Sequence, residues 1–134
     1  MFLIGSPLLS YWVKRMPIII DYRFSPLRMV LHKRDKVNFD IFIKNTDPET
    51  KNLTVRIMLP PELAFSKGGF KTAELVRIQG IKPNEEKTLY FELYPKPSTT
   101  AGEKEIAVRV QEHLGNYQYT NKQYDKTITL IVEE

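Results

Sequence analysis

The chain has no cysteine, and that absence removes several chemistries at once. There is no disulfide framework, no cysteine-ligated zinc site and no thiol nucleophile. A cysteine-free domain leans toward a reducing compartment, so a cytoplasmic setting is the expectation. Histidine is nearly absent too: His32 and His113 are far apart in sequence, and a zinc site built on them would have to draw its other ligands from acids. They read as a surface histidine beside Lys33 and a second at a strand end. No Gly-x-Ser-x-Gly elbow frames a serine nucleophile. No segment carries a 3.6-residue apolar period, no repeat is visible, and no apolar run approaches the ~20 residues that span a bilayer as a helix. No cofactor is expected.

The apolar stretch from Met1 to Val13 is broken by Gly5-Ser6-Pro7 and followed by Lys14-Arg15. It is too short for a membrane span, and its charges follow the apolar stretch, whereas a secretory signal carries them in front. Met16-Pro17-Ile18 offers a second start, and strand patterning opens there. Residues 1–15 are therefore expected to be a leader or tail, and residues 16–134 a single domain. The length and the 42% hydrophobic content suit one domain with a filled core.

Charge is unevenly placed. Residues 1–36 hold seven bases and two acids, a net of +5, whereas the remaining chain holds thirteen bases and fourteen acids, a net of −1. A nucleic-acid domain gathers bases on one face beside a recognition motif, and this body is close to neutral. Nucleic acid is not the expected partner.

What is present is alternation. Val37, Phe39, Ile41 and Ile43 fall on one face, with Asn38, Asp40 and Lys44 on the other. After the turn Asn45–Glu49, Leu53, Val55, Ile57 and Leu59 repeat the pattern until Pro60-Pro61 stops it, since proline gives no N–H to a ladder. Further strands are read at 18–24, 27–31, 72–78, 87–94, 105–112 and 125–132. Period-two runs between turn clusters predict an all-β, immunoglobulin-like antiparallel β-sandwich of seven to eight strands. Leu63 to Lys71 could hold a helical turn, but Gly68-Gly69 argues for a loop. The expected core is Val37, Phe39, Ile41, Ile43, Leu53, Val55, Ile57, Leu89, Phe91, Leu93, Ile106, Val108 and Val110.

The turn chemistry carries a resemblance. A strand ends in Ile43-Lys44-Asn45, another runs into Leu59-Pro60-Pro61-Glu62-Leu63, Ile81-Lys82-Pro83-Asn84-Glu85-Glu86 precedes a third, and Ala101-Gly102-Glu103 leads into a fourth. From about residue 17 to 134 the chain resembles the immunoglobulin-like modules of the CARDB and related archaeal and bacterial families, with Asn84 where those modules usually have glycine. The outline is also similar to major-sperm-protein and pilus-chaperone sandwiches. The resemblance implies interaction or scaffolding and brings no catalytic residues.

Several local features have a functional and a plain reading. Asp47 with Glu49, and Glu85 with Glu86, could contribute to a calcium site or solvate turns; their dispersal among lysines favours turns. Ser66-Lys67-Gly68-Gly69 could form an anion nest, or supply positive φ in a loop. Asn52-Leu53-Thr54 fits the glycosylation pattern and matters only for an exported protein. The stretch 115–124, rich in Tyr, Asn, Gln and Gly, has the composition of a binding loop. Asn116, Tyr117, Tyr119, Asn121 and Tyr124 are its candidate partner-binding residues. The alternative is a wide hairpin whose rings cover cross-strand neighbours. The expected function is a non-enzymatic protein–protein interaction or assembly module. The alternative is a carbohydrate- or surface-binding module using Tyr117, Tyr119 and Tyr124 as a stacking platform. Ile18-Ile19-Ile20, apolar on both faces, either lies between two layers or meets another chain, and it or the leader is the expected route to a homo-oligomer.

Overall fold

The computed structural model describes residues 17–33, 35–114, 117 and 119–134. These form nine strands: β1 (Ile18–Ser25), β2 (Arg28–Val30), β3 (Val37–Asn45), β4 (Lys51–Met58), β5 (Leu63–Ala64), β6 (Ala73–Ile81), β7 (Glu86–Pro95), β8 (Gly102–His113) and β9 (Thr120–Glu133). A single 3-10 turn at Leu31–Lys33 is the only helical element among the described residues, and no helix there is long and apolar enough to cross a membrane. The expected leader, residues 1–15, lies outside the described residues.

The strands form two sheets. One has the order β1-β3-β7-β5, with every pair antiparallel. The other runs β2-β9-β8-β4-β6 and is antiparallel except for the short β2–β9 pair. The chain passes between sheets at Pro26-Leu27, so β1 and β2 border different sheets.

Alternation places the core. Phe39, Ile41 and Ile43 of β3 and Leu93 of β7 share one apolar cluster with Leu53, Val55 and Ile57 of β4, Ile106, Val108 and Val110 of β8, and Ile128, Leu130 and Val132 of β9. Burying such side chains stabilises by about 1.5–3 kcal/mol each. Leu89 and Phe91, also expected in the core, are partly buried and packed against it. Phe24, Phe39, Phe91 and Phe65 form a chain of ring contacts with centroids 4.9–6.5 Å apart.

Three expectations need correction. First, Leu63–Ala64 forms a strand where a loop is expected, with the antiparallel pairs Leu63–Pro95 and Ala64–Tyr94, so the described residues hold nine strands against the seven to eight expected. Two residues are too short to show a period. Second, β9 begins at Thr120, five residues before its expected start, because pairing with β8 carries the ladder through the loop-like Asn121, Lys122 and Gln123. Third, Ile18 is fully buried and Ile20 is partly buried against the core, so Ile19, 44% exposed, is the member of that triplet that faces outward. Strand period alone produces this arrangement. The side chain of Ile18 is thus unavailable to a second chain.

The glycine-rich loop is a tight turn. The Gly69 N–H donates to Ser66 O at 3.1 Å, with Gly68 at φ +70°. At Lys82–Glu85 the Glu85 N–H donates to Lys82 O at 3.0 Å, and Asn84 has φ 63°. Proline followed by a left-handed residue is the type II arrangement, in which Asn can substitute for Gly. We predict that Asn84→Ala lowers stability by about 1 kcal/mol, whereas Asn84→Gly changes it by a few tenths. Urea unfolding midpoints at unchanged slope check this.

Candidate functional site

The inner row of β8 reads Lys104, Ile106, Val108, Val110 and Glu112, so the apolar register ends in a charge at each extremity. Glu112 stands across from Leu53 of β4 and is 2% exposed. Lys51, in the inner register of β4, reaches it with Nζ 2.9 Å from Oε1 and lies 3.3 Å from an Asp47 carboxylate oxygen. Asn121 Nδ2 donates to the same Glu112 oxygen at 3.2 Å, and the Tyr124 hydroxyl donates to the other at 3.4 Å.

A buried carboxylate carries a desolvation cost of several kcal/mol that only a close, hydrogen-bonded counter-charge offsets. Lys51 provides it. Burial opposes the ammonium form of Lys51, but the hydrogen bond and charge of Glu112, followed by those of Asp47, outweigh it and raise the lysine above its ordinary value. Burial, reinforced by the Glu112 charge, also raises the Tyr124 phenol, so it remains a donor at neutral pH.

His113, the next residue on β8, faces the outer side of the same sheet. Its Nδ1 lies 3.3 Å from Tyr119 O and its Nε2 lies 2.6 Å from Thr54 Oγ1. A carbonyl only accepts, so Nδ1 carries the hydrogen and the Thr54 hydroxyl donates to Nε2. The Tyr117 ring meets His113 edge-on at 5.0 Å, with the Arg77 guanidinium 4.7 Å from its centroid. The Leu114 N–H donates to Tyr119 O at 3.2 Å, closing the base of the β8–β9 connection.

Asn45 ties this end together. It is fully buried; its Nδ2 donates to Glu49 O at 2.8 Å and Ile81 O at 2.9 Å, while Oδ1 accepts the Asp47 N–H at 3.0 Å. Its backbone bonds Glu85 O and the Asn84 N–H. No buried side-chain nitrogen or oxygen among the described residues lacks a hydrogen-bond partner.

The expected recognition residues are thus divided. Tyr119 is exposed. Tyr117 lies with His113 and Arg77, whereas Asn121 and Tyr124 belong to β9 and engage Glu112. Asn116 lies outside the described residues. Tyr117 and Tyr124 therefore do not share a stacking plane. The sequence reading missed Asn45, Lys51, Thr54, Arg77 and Glu112. Lys51 and Glu112 had a signal: opposite charges in otherwise apolar inner registers of two strands.

The other candidates resolve locally. Asp47 pairs with Lys51, and Glu85 Oε1 accepts the Lys82 N–H at 2.8 Å within its own turn. His32 is exposed, with Nδ1 3.1 Å from Glu134 O. Among the described residues no group of three or more His, Cys, Asp or Glu side chains is placed to hold a metal ion. Near the opposite end of the strands is an open depression of about 860 Å³, where Arg23 pairs with Asp40 at 3.0 Å beside Tyr90.

No protein-family model and no curated protein matches the chain. Among solved structures it is similar to a FixG-related protein from Vibrio parahaemolyticus, at 8% identity and TM-score 0.57, covering 90% of this chain and all of that one. It is also similar to AvmM, described as catalysing macrocyclization in alchivemycin A biosynthesis, at 11% identity and TM-score 0.53, covering 90% of each chain. At such identities the likeness is one of fold.

Lys51→Met leaves Glu112 buried without its counter-ion and is predicted to cost about 3–5 kcal/mol, part of which Glu112→Gln in the same chain recovers. The contribution of the raised Lys51 is complete below its ordinary value of 10.5 and is lost as pH rises through the higher folded-state value. The stability gap between wild type and Lys51→Met therefore closes only at strongly alkaline pH, as denaturant titrations across that range will measure.

Proposed function

We propose that this chain is a non-enzymatic, immunoglobulin-like β-sandwich that captures a protein partner with the end bearing Leu114, Tyr117 and Tyr119. The strand distribution supports that fold type. β1, β3 and β7 share one sheet and β9, β8 and β4 the other, as strands A, B, E and G, F, C do in immunoglobulin domains. β6 borders β4 in the position of a C′ strand.

The observation that carries the functional reading is the pairing of Leu114 and Tyr119. They are 70% and 64% exposed, yet their backbones are bonded to each other and anchored by buried His113. Large apolar and aromatic groups on a pre-ordered base lose little entropy on binding, which is how interface hot spots are built. A carbohydrate platform of Tyr117, Tyr119 and Tyr124 has weaker support, because Tyr124 is turned toward Glu112.

The double variant Leu114→Ala/Tyr119→Ala tests the proposal. Its folding stability is expected within about 0.5 kcal/mol of wild type, since both side chains face solvent. Affinity-purified complexes should lose specific components held by wild type, as truncation at hot spots costs at least about 2 kcal/mol. Identical complexes from both proteins would reject the loop end as the recognition surface.

A further inference from the structure

The bordering strands differ in how their free edges are closed. β2 and β5 are only three and two residues long. On β1, Lys126 Nζ donates to Ile20 O at 3.0 Å, and the Tyr22 N–H is taken by the Asp21 carboxylate at 2.8 Å. These are side-chain covers of the kind that discourage strand addition. β6 lacks them. It spans nine residues without proline or lysine.

The bond from the Leu59 N–H to Thr72 O, at 2.7 Å, fixes the alternation of β6. In the antiparallel register with β4, Thr72, Glu74, Val76 and Ile78 direct their backbone groups toward β4. The N–H and C=O groups of Ala73, Leu75 and Arg77 therefore point away from the sheet, and no described residue bonds them.

The charge beside this edge is one-sided. Arg56 of β4 stands directly across from Arg109 of β8, a like-charge pairing that disfavours the sheet. Arg109 is relieved by Asp125 at 2.8 Å, whereas Arg56 has no ion pair among the described residues. Arg77 lies over Tyr117 and likewise has no carboxylate partner among the described residues. Glu74, on the same strand, is held by Lys71 at 2.7 Å. Two guanidinium groups without a carboxylate partner among the described residues thus flank Leu75, which is 45% exposed.

We propose that β6 accepts an extended acidic segment of a partner protein as an added β-strand. The backbone of the segment pairs with Ala73, Leu75 and Arg77. Its acidic side chains fall on the outer face with Arg56 and Arg77, and its alternate β-branched side chains lie beside Val76 on the inner face. A second copy of this chain fits poorly, because an isologous pairing of β6 with itself would bring both copies' Arg56 and Arg77 onto one continuous face. The site adjoins the loop end at Arg77, which lies over Tyr117, but its backbone groups and Arg56 do not involve Leu114 or Tyr119.

The test uses the full chain and a fluorescein-labelled peptide, Asp-Val-Glu-Val-Asp-Val-Glu-Val, followed by anisotropy. Saturable binding that weakens with salt is expected, with the counterpart carrying lysine in place of each acid bound at least about tenfold more weakly. Arg56→Glu should weaken binding by about tenfold or more. Leu75→Pro removes an N–H that faces the free edge, costs no ladder bond, and should abolish binding. Should Leu75→Pro fail to fold, Arg56→Glu and slowed exchange of the Ala73, Leu75 and Arg77 amides on peptide addition decide the matter. Tyr119→Ala should bind the peptide like wild type, whatever becomes of the loop-end reading. Absence of binding at millimolar chain, or equal binding by wild type and Arg56→Glu, would overturn the proposal. So would a concentration-dependent dimer that Arg56→Glu leaves intact and Leu75→Pro removes, since a second copy would then occupy the edge.

Discussion

Asn45 has no exposed surface, and each of its hydrogen-bonding groups is engaged. Its amide nitrogen gives both hydrogens to carbonyls, one in the β3–β4 turn and one at the end of β6. Its amide oxygen takes the Asp47 N–H, and its backbone holds the 82–85 turn. An aspartate there would set carboxylate oxygens against two carbonyl oxygens, and an alanine would leave those carbonyls without donors in a buried site. Pro17 lies beside the same turn, where its O accepts the Thr46 N–H at 2.7 Å. One residue, through its side chain and its backbone together, thus joins the β3–β4 turn, the end of β6 and the 82–85 turn at the end that carries the candidate site.

The Lys51–Glu112 pair builds on that frame. Asp47, positioned by Asn45, is the second carboxylate on Lys51, and Glu112 in turn receives Asn121 and Tyr124 from β9. On the outer side of the sheet, His113 joins β4 through Thr54 to the loop base through Tyr119. The β8–β9 connection is therefore supported on both faces, through Glu112 on the inside and His113 on the outside. A buried, fully satisfied polar network has less tolerance for alternative geometry than an apolar layer of the same size. In the proposed reading, that rigidity is what would let exposed Leu114 and Tyr119 serve as an interface, since order established during folding need not be acquired on binding.

Much of the fold was legible because β3, β4 and β8 alternate cleanly, and Val37–Ile43, Leu53–Ile57 and Ile106–Val110 reach the core as their period requires. The short β5 escaped because two residues carry no period. The early start of β9 escaped because Asn121, Lys122 and Gln123 have the composition of a loop, whereas pairing with β8 decides their conformation. The site was less legible for a related reason. Composition drew attention to the tyrosines, yet Tyr124 takes its orientation from a glutamate twelve residues earlier, across the hairpin. Lys51 and Glu112 could have been recognised as opposite charges in apolar registers, but only the pairing of β4 with β8, which sets Glu112 across from Leu53, brings Lys51 within reach of it. Asn45 gave no signal beyond ending a strand.

Native-state hydrogen exchange at the Asp47 and Asn84 amides measures the central claim directly. Both lie in turns, where amides ordinarily exchange through small local openings. Because Asn45 accepts both, they are expected to exchange with opening free energies near those of the Ile41 and Val55 core strands. Rapid exchange at Asp47 and Asn84, with the core strands still protected, would contradict the claim that one buried amide holds this end of the molecule in place.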